Sequence, residues 1–271
     1  MNEVISKETQ ATESGSVNVQ SNREIKQTSS EPKKPEIPHL NVTFLTKDAP
    51  ALLFSRKEKR GENKTNFISG ADWFDSKIKV ILNAVRDDDP FADQLVFDIE
   101  NAINNLSTHY KEELQNIKSS IETKLSHFNA SLEISDKIHV ETHAISFQNR
   151  LTFDLLWALK DLDESLYYLY LSDKYAILPS QIVTEKRQEL RKAYRVILQM
   201  INRWKPSAIT REDLAHNTQR VAKTFELNEQ IQLTKDVLLL EKRAACAPNI
   251  KTRNFNKLDP ATREKLNELY G

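Results

Sequence analysis

Asp89-Pro90-Phe91-Ala92-Asp93-Gln94-Leu95, followed on to Phe128, decides the fold. Asp89 offers a carboxylate to the free amides of a helix start, and Pro90 suits the first helical position, where no amide hydrogen is needed. Beyond them the apolar residues are Phe91, Leu95, Ile99, Ala102, Leu106, Tyr110, Leu114, Ile117, Ile121, Leu125 and Phe128. Steps of three and four draw one stripe along a helix about ten turns long. Other helices must pack on that stripe. Asp87, Asp88 and Asp89 together invite a metal reading, but carboxylates at a helix start already serve the helix dipole, so the capping reading is preferred.

Working outward, Leu40-Asn41-Val42-Thr43-Phe44-Leu45 alternates apolar and polar side chains, the period of a short strand. The strand is expected over 40–46. Asp48 with Pro50 then predicts a helix over 49–59, a connection over 60–69, and a helix over 70–87 with Phe74, Ile78, Ile81, Leu82 and Val85 on one face. On the far side, Ile138 to His143 alternates again, and a second strand is expected near 138–147. His139, Glu141 and His143 would share one face of it; a solvated face is preferred over a metal site.

Further on, Leu155, Leu159, Leu162, Leu166 and Tyr170 form the seam of another helix, with Trp157, Tyr167 and Tyr168 read as core. Gln181 to Trp204 is a helix with a buried stripe of Leu190, Ala193, Ile197, Ile201 and Trp204. Its outer stripe is Arg187, Arg191 and Arg195. Thr210 caps the next helix, Leu227 to about Arg243 continues the helical pattern, and Asp259-Pro260 opens a terminal one.

The 271 residues are 39% apolar and 29% charged, with 4 glycines and 9 prolines, too few for a turn-rich β sandwich or barrel. The expected class is mainly α: a multi-helix bundle with one or two short β-strands. Residues 1–37 are polar, lack aromatic side chains, and are read as a disordered tail. A strand-and-helix segment over 38–88, a bundle over 89–250 and an extension with a short helix over 251–271 complete the expected organisation. No run reaches the length of a membrane helix, the start has no leader character, and Cys246 is the only cysteine, so the expectation is a cytoplasmic protein without membrane partner or disulfide.

Glycines 15, 61, 70 and 271 are too scattered for a phosphate loop, and Cys246 has no histidine near it in sequence. Nothing points to catalysis, a cofactor or a metal. The net charge is zero, yet residues 38–64 carry +3 and 242–271 carry +4 around an acidic middle. Positive blocks of this kind suit an anionic partner such as nucleic acid, and equally serve solubility.

Arg86-Asp87-Asp88-Asp89-Pro90-Phe91-Ala92-Asp93, Ala208-Ile209-Thr210-Arg211-Glu212-Asp213-Leu214 and Ala247-Pro248-Asn249-Ile250 resemble, in order and spacing, motifs of a family encoded on integrating conjugative elements and plasmids. That family includes the AcaB-like transcriptional regulators. The resemblance runs from about Val42 to Ile250. One departure is Phe147-Gln148-Asn149-Arg150-Leu151, where a glycine-rich stretch is expected. The resemblance implies a DNA-binding regulator of a conjugative element, with a ribbon-helix-helix module and a homodimer on double-stranded DNA. In that module Asn41, Thr43 and Lys47 would face base edges. Arg56, Lys57, Lys59, Arg60 and Lys64 would contact phosphates, and the amides near Ser69 and Gly70 would hold one more. Two alternatives stay open. The 40–46 strand pairs with 138–147 inside the chain instead of across a dimer, or the protein is an accessory factor that contacts conjugation-machinery proteins. Arg187, Arg191 and Arg195 form the alternative basic face.

Overall fold

The computed structural model describes residues 40–60, 64–132, 141–253 and 256–270. The polar tail, with its expected disorder, lies outside them. At the centre is α3 (Pro90–His127), capped by Asp89, whose Oδ1 accepts from the amides of Phe91 (2.9 Å) and Ala92 (3.0 Å). The expected stripe buries Phe91, Leu95, Ile99, Leu106, Tyr110, Ile117 and Ile121. It does not hold to its end: Phe128, the C-cap just past α3, is 65% exposed.

Around α3 lie α2 (Ala71–Arg86), α4 (Arg150–Lys174) and α5 (Ser180–Met200), with α4 packed most extensively against it. Leu155, Leu159, Leu162 and Leu166 of α4 are fully buried in that seam, while Leu190, Tyr194, Ile197 and Leu198 of α5 close it from the other side. Trp157 departs from expectation: it is 50% exposed, since it lies off the Leu155–Leu159–Leu162 seam. The chain ends in short helices, α6 (Arg211–Ala215), α7 (Gln219–Leu227), α8 (Lys235–Leu238) and α9 (Pro260–Tyr270). Thr210 and Asp213 form the reciprocal capping box expected for α6. The long helix expected over Leu227 to Arg243 shrinks to α8; Leu227 is exposed and Leu240 has a φ of 59°, which a helix interior does not accept.

Two small antiparallel sheets complete the fold. β1 (Leu40–Phe44) pairs with β4 (Glu141–Ile145), placing Thr43 opposite Thr142 and Asn41 opposite Ala144. The pairing is thus made within the chain. The Asp163 carboxylate of α4 fixes the exit of β1, accepting from the amides of Leu45 (2.7 Å) and Thr46 (2.9 Å). The departure at 147–151 has a local answer: Asp75 of α2 accepts from the Asn149 amide (3.2 Å) and the Thr152 hydroxyl (2.8 Å), holding the start of α4 without a glycine.

The helix expected over 49–59 is not formed. Only Pro50–Leu53 is helical (α1), and Arg56–Arg60 (β2) pairs with Lys64–Ile68 (β3) as a hairpin. Asp48 is not its cap; that position is Ala49. The physical reason sits at Ser55, whose amide and hydroxyl both donate to Asp72 of α2 (2.8 and 2.9 Å), pinning the chain where a helix would continue. A Cβ on Gly70 would lie 2.4 Å from the Phe54 carbonyl carbon, so the two backbones meet there only because residue 70 is glycine. The order strand, helix, connection, helix required of a ribbon-helix-helix is therefore absent among the described residues.

Candidate nucleic-acid interface

The hairpin gathers the residues singled out for phosphate contact. Arg56, Lys57, Lys59 and Arg60 lie on β2 and Lys64 begins β3, in a register that sets Arg56 opposite Ile68, Lys57 opposite Phe67 and Arg60 opposite Lys64. Alternation along a strand puts Lys57, Lys59 and Phe67 on one face and Arg56 and Glu58 on the other. Lys57 and Lys59 are exposed, and Phe67 is 50% exposed. Arg56 turns back toward the body, donating to the Ala51 carbonyl (2.6 Å) and to Glu58 (3.4 Å).

Beside the root of this hairpin runs the arginine stripe of α5. Arg187 and Arg191 meet on one carboxylate, Asp48, at 2.9 and 3.5 Å. Tyr170 donates its hydroxyl to the same Asp48 (2.7 Å), and the Arg187 guanidinium lies 4.2 Å from the Tyr170 ring centroid. Burial opposes the Asp48 charge, but the Tyr170 hydroxyl and the two guanidiniums outweigh it and hold its carboxyl below the usual range. Burial, reinforced by the nearby charge of Arg191 and then Arg56, lowers the pKa of Arg195. The two basic sets that the sequence offered as alternatives thus adjoin each other.

The third surface is the outer face of β1 and β4. Asn41 and Thr43 are exposed, as the strand period predicts, and the register adds Thr142 and Ala144 to the same face. The Thr43 and Thr142 hydroxyls share a hydrogen bond of 3.0 Å. Lys47 is exposed just beyond β1, and Lys160 donates to the Thr43 carbonyl. The inner face holds Val42, Phe44 and Ile145; Leu40 is 36% exposed. His143 also points inward rather than to solvent, with ring centroids 5.2 Å from Phe54 and 6.0 Å from Phe44. Glu141 stands 3.2 Å from it, while His139 lies outside the described residues.

The amides near Ser69 and Gly70 are not open to a ligand. Both residues are buried, and Gln199 of α5 donates to the Ser69 hydroxyl (3.1 Å). The one signal for the hairpin lies in Arg56 to Arg60, which contain no apolar residue to build a helical face. Thr142 and Ala144 carried no separate signal, because only the pairing register adds them to the Asn41 face.

Asp88 and Asp89 serve the core, whereas Asp87 is exposed and pairs with Lys251 at 2.8 Å. Arg211 is fully buried and donates to Asp88 (2.8 Å), to Asp93 (2.7 Å) and to the carbonyls of Leu238 (2.9 Å) and Val237 (3.0 Å). Arg243 adds a second cation on Asp93 (3.0 Å), and Arg253 reaches Asp88 at 2.7 Å. Arg243 also donates to the Pro248 carbonyl (3.0 Å). The three short stretches that carry the resemblance therefore converge on one buried ion network. Their buried members, Asp88, Asp93 and Arg211, hold the fold together. Among the described residues no helix is long and apolar enough to cross a membrane.

A family model described as transcriptional regulator AcaB matches residues 37–251. No curated protein and no solved structure is matched by the chain.

Proposed function

The chain belongs to the AcaB family of transcriptional regulators, and from that premise we propose that it binds double-stranded DNA sequence-specifically and controls genes of a conjugative element. The observation that carries the reading is the hairpin: Arg56, Lys57, Lys59, Arg60 and Lys64 fall on one two-stranded ribbon. A ribbon of two strands fits the major groove, and its cations neutralise phosphates. In this reading the outer face of β1 and β4 reads the bases. Asn41 bonds adenine, Thr43 reaches a base edge or a thymine methyl, and Lys47 contacts guanine or phosphate. A homodimer would place two such surfaces on an inverted repeat.

A gel-shift titration of the full chain against promoter DNA of its own element and against unrelated duplex, each at two salt concentrations, tests the reading. The expected result is tighter binding of the promoter and a steep salt dependence for both. Equal affinity for both duplexes would remove the sequence-specific part. A second reading, an accessory factor of the conjugation machinery, draws on the exposed Trp157, Phe128 and Tyr175, large apolar side chains of the kind that anchor protein interfaces. Absence of any duplex binding at low salt would favour it.

A further inference from the structure

The charge around Asp48 is not balanced. Among the described residues Arg187, Arg191, Arg195 and Arg56 contribute four guanidinium groups, whereas Asp48 and Glu58 are the carboxylates that act on them. Here the single half-buried carboxylate, Asp48, is shared by two arginines and a phenol. The Nε groups of Arg187, Arg191 and Arg195 are all buried and have no hydrogen-bond partner among the described residues. A buried donor left without a partner costs free energy, which the Asp48 pairs and the Tyr170 ring offset only in part. Spacing of four residues aligns the three side chains along one side of α5, and the planar fork of each matches an oxyanion with two or three free oxygens.

We propose that this arginine ladder is a binding site for a phosphoryl group, with the Asp48 carboxylate occupying the position that a phosphate oxygen takes. Tyr170 contributes a hydroxyl donor to the same point, and its ring carries the Arg187 guanidinium. A phosphoryl group brings more charge and more acceptors than one carboxylate, so it can engage the terminal guanidinium nitrogens of neighbouring rungs together. The phosphoryl group has two sources with the same chemistry: a backbone phosphate of DNA, or a free phosphorylated small molecule. The site stands without the DNA reading, since it rests on the ladder and not on the hairpin.

Pyrophosphate is the probe, titrated calorimetrically into the full chain at low salt. Saturable binding near one equivalent is expected. Arg191→Ala should weaken it about tenfold, and Arg195→Gln should weaken it as well, each with an unchanged circular dichroism spectrum. Asp48→Asn should tighten it several-fold, because the competing carboxylate is gone; a carboxylate that only supports the fold gives no such gain. No saturable binding, or binding that Arg191→Ala and Arg195→Gln both leave intact, overturns the site even if the chain binds duplex. Repeating the gel shift with pyrophosphate present separates the sources. Competition identifies a backbone phosphate, while pyrophosphate binding that leaves duplex affinity untouched identifies a free ligand. Pyrophosphate binding by a chain with no duplex affinity supports the site and removes the DNA reading alone.

Discussion

Arg211 directs its donors into the protein interior. Two carboxylates and two carbonyls surround it, so removing the guanidinium leaves Asp88 and Asp93 with reduced compensation in a buried site. Breaking a buried pair by deleting one partner costs about 3–5 kcal/mol. Arg211→Ala is therefore expected to lower the unfolding free energy by about that amount in urea titration, far more than Arg187→Ala, whose side chain is partly solvated. Asp89 makes a different residue-scale prediction. Burial pushes its carboxyl up to about 6, against the pull of its two capping amides and Trp204. A raised carboxyl binds its proton more tightly in the folded state. Its contribution is then present at pH below about 4 and is lost as pH rises to about 6. The stability of the wild type relative to Asp89→Asn should fall across that interval by up to about 3 kcal/mol and be flat above it, measured by denaturant titration at several pH values. The capping role of Asp89 was legible from its place before Pro90. Its burial beneath Trp204, 115 residues later, was not, since no local pattern links the two.

At the scale of elements, period was a good guide for α3, α2 and β1 but not over Leu227 to Arg243, where only Lys235–Leu238 is helical. The α3 stripe, the α2 face and the β1 alternation all follow from burial on one side of a regular element. Arg56 to Arg60 had no such face, and its partner strand was hidden in what looked like a connection. There the tertiary tie of Ser55 to Asp72 decided the outcome, and a hairpin replaced a helix. Of the interface, the exposure of Asn41 and Thr43 was legible from alternation; the company they keep was not. Gly70 carries the junction between hairpin and α2. Gly70→Ala would force its Cβ against the backbone at Phe54 and Ser55, at 2.4 and 2.5 Å, and a cost of about 1–3 kcal/mol is expected in thermal or denaturant unfolding. If the hairpin anchors phosphates, Lys57→Ala with Lys59→Ala should weaken all duplexes alike. The salt slope should drop by about one unit for each lysine that no longer neutralises a phosphate. Asn41→Ala should instead cost about 1–3 kcal/mol on the promoter alone.

Over the whole molecule, the buried ion network acts in time as well as in space. Asp88 is held by Arg211 from 123 residues away and by Arg253 from 165 residues away. Pairings of that separation carry a loop-closure cost that local contacts do not, so they are expected to form late on the folding route. Until then Asp88, Asp93 and Arg211 remain hydrated, and the apolar stripe of α3 has no completed lid. During synthesis the chain cannot finish its core until residue 253 has emerged, which leaves a long interval in which partly assembled helices are exposed to aggregation and to proteases. The same late closure protects the finished protein, because an interaction absent from the transition state must break before unfolding proceeds. Stopped-flow measurements on Arg253→Ala should show the destabilisation almost entirely as faster unfolding, with the refolding rate nearly unchanged.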